Sequence, residues 1–243
     1  MSAARLALAA LGAAGLAWAA ASTQPSAFSA VAPGEALPPG WKHLTVPPHK
    51  ANTVRLVATP GATVLESRAR AAAGTAGFAL EADPARTPVL AWKWKVDRVI
   101  SAADLRTKKG DDFAARVYAT FDVPAEGLGL ATRAKIRLAR ILHGVQIPTA
   151  ALCYVWDNRH PEGTIAPSAY TERVRVVVAR SGGASVGEWV AESRDLEADF
   201  RAAFPEWRGP VPRLTGIAAG NDTDQTGETA TAWFGDFRLE ARR

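Results

Sequence analysis

From residue 41 onward the chain is dominated by alternation. Leu90, Trp92, Trp94 and Val96 share one phase while Ala91, Lys93 and Lys95 share the other. Phe113, Ala115, Val117, Ala119 and Phe121 alternate in the same way with Ala114, Arg116, Tyr118 and Thr120. A period of two sends successive side chains to opposite sides of an extended backbone, so these runs predict strands with one face buried. The pattern returns in Val174, Val176 and Val178 set against Arg173 and Arg175, and in Trp233, Phe237 and Leu239. Shorter candidates at 54–58, 62–66, 78–81, 151–156, 187–193 and 214–219 bring the total to about ten strands. Closely spaced strands without alternating long helices predict an all-β, mainly antiparallel fold, a β-sandwich of the jelly-roll kind. Trp92 and Trp94 belong to its core by phase.

Two short helices interrupt the strands. Leu130, Ala134, Leu138 and Ile141 fall on one stripe of a helix over 129–143, whose other side carries Arg133, Lys135, Arg137 and Arg140. A second helix holds Asp195, Asp199 and Phe200, with Ser193 or Asp195 placed to cap its free N–H groups. Gly182-Gly183 reads as a hairpin turn.

The N-terminus has a different character. One charge, Arg5, precedes an apolar run from Leu6 to Ala20 that ends in small-x-small sequences, the pattern of a cleaved secretory signal peptide over residues 1–21. The run is shorter than the roughly 20 residues that span a bilayer. Residues 22–40, rich in Ser, Ala, Pro and Gly, read as a linker, and 41–243 as one domain. The expected location is periplasmic or secreted, with no membrane anchor after processing. The single cysteine, Cys153, sits in an apolar run and reads as a small buried hydrophobe.

Composition narrows the functions. The chain has 243 residues, 48% hydrophobic and 22% charged, which are globular proportions. A formal net charge of +5 is mild for this length and excludes the concentrated basic patch of a nucleic-acid binder. The sequence has no phosphate loop, zinc spacing, serine nucleophile elbow or dinucleotide glycine pattern.

Three sets of residues carry candidate chemistry. Asp222, Asp224 and Thr226 are spaced by two and followed by Gly227, so their oxygens can converge on a hard cation such as calcium. The same residues can instead make side-chain to backbone turn bonds. Asp111 and Asp112 open the Phe113 strand; as neighbours they point to opposite faces, which suits a turn and a partner for Arg116 better than paired acid-base chemistry. Asp157, Asn158 and His160 form a polar loop. The third set comes from phase: if the small and apolar faces turn inward, Lys93, Arg116, Tyr118, Tyr154 and Trp156 all point away from them. On neighbouring strands they would make a basic, aromatic sheet face suited to a sugar. A covering helix would make Tyr154 and Trp156 core instead.

Four ordered segments carry a family resemblance: Pro88 to Val96, Gly110 to Tyr118, Leu152 to Trp156, and Asn221 to Gly227 with Trp233-Phe234-Gly235-Asp236. Together they resemble the DUF3047 family of bacterial exported proteins over nearly the whole chain from Trp41 to Leu239. The resemblance implies export and supplies no activity or catalytic residues. The Asp-Thr-Asp segment followed by an aromatic-Gly-Asp strand is also similar to carbohydrate-binding sandwiches of the galactose-binding-like type, a fold-level analogy. The expectation is a binding protein for a glycan or other cell-envelope polymer, without catalysis. The alternatives are a glycan hydrolase or lyase using Asp111, Asp112, Asp157 or Arg116, and a structural or partner-binding subunit.

Overall fold

The computed structural model describes residues 22–34, 36–45, 48–123 and 149–242. The expected signal peptide and the 129–143 helix lie outside the described residues. The strands are β1 (Trp41–Leu44), β2 (Thr53–Thr59), β3 (Ala62–Arg70), β4 (Ala73–Ala82), β5 (Val89–Val96), β6 (Phe113–Phe121), β7 (Ala150–Asp157), β8 (Ile165–Ser168), β9 (Thr171–Ser181), β10 (Val190–Asp195), β11 (Leu214–Asp222), β12 (Thr229–Phe234) and β13 (Arg238–Glu240). One helix, α1 (Leu196–Ala203), follows β10. Asp195 caps it, its carboxylate accepting from the Ala198 N–H at 2.9 Å.

The strands form two sheets. A seven-stranded sheet runs β1-β4-β11-β6-β7-β9-β8, and a six-stranded sheet runs β10-β5-β12-β3-β2 with β13 beside β5. The core lies between them, where each contributes its alternate residues. Trp92 of β5 meets Tyr154 of β7 with ring centroids 5.5 Å apart, and Trp94 meets Trp156 at 5.7 Å. Pairing is antiparallel except between β7 and β9, which run parallel. Between them the chain runs out to β8 at the sheet edge and returns as β9, between β8 and β7. Gly182 turns with a positive φ of 72°, but β9 and β10 lie in different sheets, so Gly182-Gly183 begins a crossover and not a hairpin.

The segment before β1 is packed and does not behave as a free linker. Phe28 is fully buried against Trp41 and Phe237, with centroids at 4.6 and 6.3 Å. The Gln24 side chain bridges the Leu239 backbone, and Ser29 donates to Asp236. An aromatic residue and short polar donors inside a Pro-rich stretch explain why composition alone read it as unstructured.

The seven-stranded sheet has a second apolar layer on its outer face. Cys153, Val155, Val174, Val176, Val178 and Phe113 are buried there with Leu105. Cys153 is fully enclosed, and burial pushes its thiol pKa up to about 12, which leaves it an inert hydrophobe.

Candidate strand-end acid site

The site is built by a fault in β6. Strict alternation would put Phe113 in the central core with Ala115 and Val117, but the pairing of β11 shifts between Gly220, opposite Arg116, and Asp222, opposite Phe113. One extra residue of β6 is accommodated there, a β-bulge, so Ala114 and Ala115 both enter the core while Phe113 turns to the outer layer. Arg116 lies over its ring at 4.8 Å.

Across the bulge, β11 ends in two residues that split between the faces of the sheet. Asn221 points inward: its carbonyl oxygen accepts from Ser67 of the opposite sheet at 2.7 Å, and its amide donates to the Ala230 carbonyl at 2.9 Å. Asn52 completes this fully enclosed network by donating to Ser67 and to the Gly74 carbonyl, each at 2.8 Å. Asp222 points outward, onto the Arg116 guanidinium and the Phe113 N–H, the latter 3.0 Å away. Arg116 also donates to the Tyr118 hydroxyl at 2.7 Å and to the Asp111 carbonyl at 3.0 Å. Its Nε is buried with no partner.

The loop after β11 folds back over this pair. Asp112, fully buried, accepts from the backbone N–H groups of Gln225 and Thr226 at 3.3 and 2.6 Å. Asp224 is held by His49 Nδ1 at 2.7 Å and by the Gln225 amide at 2.5 Å. Gly227 closes the turn with a positive φ of 75°, a conformation glycine enters without steric cost. The Thr226 hydroxyl accepts from the Glu228 N–H at 3.3 Å.

Four aspartates thus gather about the Arg116–Asp222 pair. Burial raises Asp111 from 3.8 to about 6, opposed by Arg116 and aided by Asp112 and Asp224. Burial also raises Asp112, against the Thr226 and Gln225 hydrogen bonds, and lifts Asp222 well above the ordinary carboxylate range against the pull of Arg116. Tyr170, half-buried on the turn between β8 and β9, is raised by burial and then by the same four aspartates. Its hydroxyl donates to the Lys108 carbonyl at 3.1 Å. His49, Asp224, Gln225 and Tyr170 are the less buried members of the group and form its outer side.

Oxygens from Asp112, Asp222 and Asp224 lie within 4.8 Å of one another. Ca–O bonds of about 2.3–2.6 Å allow ligand oxygens on one ion to stand that far apart, so the three fit a single coordination sphere. The donors are all hard oxygens, and although each Asp112 and Asp222 oxygen accepts one hydrogen bond, a second lone pair remains on each. Among the described residues Asp112 thus stands with Asp222 and Asp224 of the expected set, while the third expected residue, Thr226, accepts from the Glu228 N–H through its hydroxyl. Sequence spacing could not reveal Asp112, because it reaches the loop through a bulge that alternation does not show.

The expected sheet face is not formed. Tyr154 and Trp156 share the inward phase with Leu152 and are core, while Arg116 and Tyr118 lie on the outer side of the same sheet. Lys93 belongs to the other sheet altogether and points from its outer surface. The physical reason is that β7 is apolar on both faces, so its phase could not be read from hydrophobicity. Asp157 is enclosed at the end of β7, where Oδ1 accepts from the Arg159 and His160 N–H groups at 2.7 and 2.6 Å and the His160 ring lies 3.1 Å away. That is a loop-closing arrangement at the end of β7.

No helix among the described residues is long and apolar enough to cross a membrane. No curated protein matches the chain. Among solved structures, a meso-active thermo-stable cellulase derived from Cel12A of Rhodothermus marinus is similar at 12% identity and a TM-score of 0.44, over 84% of this chain and 92% of that one. The cellulose induced protein Cip1 gives 13% and 0.37 over 84% and 92%. A family 30 carbohydrate-binding module of the cellulosomal cellulase Cel9D-Cel44B of Clostridium thermocellum gives 10% and 0.34 over 90% and 95%. The family described as "Protein of unknown function (DUF3047)" matches residues 39–238, a span that holds both sheets, the bulge and the aspartate loop, and the chain belongs to that family.

Proposed function

We propose that this chain is an exported, non-catalytic binding protein that holds a calcium ion with Asp112, Asp222 and Asp224 and uses it to bind hydroxyl groups of a cell-envelope glycan. The observation that carries the reading is convergence: carboxylate oxygens of Asp112, Asp222 and Asp224 lie within 4.8 Å of one another beside a single guanidinium, in a largely buried setting. A buried excess of like charge is costly unless a counter-charge is present. A divalent cation supplies that counter-charge, and its remaining coordination positions accept neutral oxygens from water or a sugar. His49, held on Asp224, and Tyr170, whose hydroxyl bonds the Lys108 carbonyl and whose ring carries the Lys108 ammonium at 5.6 Å, stand on the outer side of the cluster.

Binding is favoured over acid-base chemistry by the way the carboxylates are held. Both oxygens of Asp112 and both of Asp222 already accept hydrogen bonds from the protein, which fixes them as ligands and not as groups free to deliver a proton. Export rests on the N-terminal sequence; mass spectrometry of cell fractions should find the chain without residues 1–21 outside the cytoplasm.

The glycan reading is tested by affinity electrophoresis of the full chain through gels containing isolated cell-envelope polysaccharide, in calcium and in EDTA. Retardation in calcium that disappears in EDTA and in Asp224→Asn supports it. Equal mobility in both buffers contradicts it.

A further inference from the structure

We infer that the outer face of the six-stranded sheet is a second binding surface, for an acidic polysaccharide, independent of the strand-end cluster. The register builds it as a row. Trp233 of β12 stands opposite Lys95 of β5 on one side and Glu66 of β3 on the other, and Arg55 of β2 stands opposite Glu66. Val190 pairs with Trp94, so Trp189, just before β10, continues the row beyond Lys95. Two strand spacings, about 9.6 Å, therefore separate the two tryptophan positions.

Lys95 lies between the two indoles. Its ammonium is 5.4 Å from the Trp189 ring centroid and 4.6 Å from that of Trp233, while Lys93 is 5.0 Å from Trp189. The Trp233 indole is fixed from behind by its N–H to Glu66 at 3.1 Å, and Glu66 is itself held by Arg55 at 2.9 Å. Both tryptophans remain partly accessible, and Lys93, Arg55 and Arg68 are exposed. Neither indole is accounted for by the core, and the acid of the row is already neutralised by two arginines.

An apolar ring, a cation and a second apolar ring in line match a polymer that alternates the same features. A chain of uronic acid residues carries each carboxylate directly on a ring whose C–H face can lie on an indole, so charge and apolar surface arrive together. A nucleic acid carries its charge on a backbone set away from the bases, and the chain's net charge of +5 is small for such a partner. The flat surface of a sheet also suits an extended chain that lies across strands.

The test is isothermal titration calorimetry of the full chain in EDTA with polygalacturonate, alongside hydroxyethylcellulose, a single-stranded oligonucleotide and phosphatidylglycerol vesicles. EDTA silences the calcium-dependent site, so the two readings fail separately. The surface predicts binding of polygalacturonate that weakens with salt and falls about tenfold or more in Trp189→Ala and in Lys95→Gln, with Asp224→Asn unchanged. Lys95→Gln keeps the reading testable if Trp189→Ala fails to fold. Absence of polygalacturonate binding would overturn the inference. So would a loss confined to Asp224→Asn, or stronger binding of the oligonucleotide, the vesicles or the neutral glucan.

Discussion

Arg116 of β6 and Asp222 of β11 form a buried ion pair across the bulge, with the carboxylate also accepting from the Phe113 N–H at 3.0 Å. The pair ties the strand that brings Asp111 and Asp112 to the loop that brings Asp224. Stability and the site therefore share the same bond.

Replacing Arg116 by Met keeps the volume and strands the Asp222 charge. The expected cost is about 3–5 kcal/mol, because removing one partner leaves an uncompensated buried charge. Urea unfolding measures it; a loss under 1 kcal/mol would show the pair to be dispensable.

Asp111 makes the metal-free protein pH-dependent in a defined direction. Its folded pKa of about 6 lies above the ordinary 3.8, so between these values the folded state retains a proton that the unfolded chain releases. Its contribution to stability is fully present below 3.8 and lost as pH rises through 6, a change on the order of 3 kcal/mol. Asp112 and Asp222 shift the same way. Melting curves in EDTA from pH 4 to pH 8 should fall, and Asp111→Asn should flatten the fall; parallel curves for the two proteins would contradict this.

The site depends on close approach of β4 to β11. A Cβ on Gly220 would meet the Gly74 carbonyl at 2.3 Å and Thr75 Cα at 2.8 Å, both backbone atoms that cannot swing away. Gly220→Ala should cost about 1–3 kcal/mol by forcing the strands apart, and should weaken calcium binding along with stability. A calorimetric melt unchanged by the substitution would contradict this packing.

Much of the strand pattern was legible in the chain. Alternation located β5 and β6 almost to the residue because Lys93, Lys95, Arg116 and Tyr118 mark the outward phase. It failed for β7, where Ala150 to Asp157 is buried throughout and either phase was consistent with the sequence. Short β1 and β8 offered too few residues for a period, and the parallel step from β7 to β9 has no local signature. The aspartate loop was legible as a cluster of oxygens. Its partner Asp112 was not, because a bulge is a tertiary accommodation between β6 and β11.

Tyr154 is a test of that correction. Its hydroxyl donates to Asp199 at 2.9 Å, and Arg194 forks onto the same carboxylate at 2.9 and 2.8 Å. Tyr154→Phe should destabilise by about 1.5–3 kcal/mol through loss of a bond to a charged acceptor, and leave glycan retention in calcium unchanged. Loss of retention at full stability would return Tyr154 to the binding surface.

The claim on which the functional account turns is that Asp112, Asp222 and Asp224 take a calcium ion, and the thermal melt in EDTA against calcium tests it most directly. At a calcium concentration a hundredfold above Kd the folded state should gain about 2.7 kcal/mol. The melting temperature of the wild-type chain should rise accordingly, while Asp224→Asn should give one melting temperature in both buffers. A wild-type melt that is the same in EDTA and in excess calcium would contradict the account.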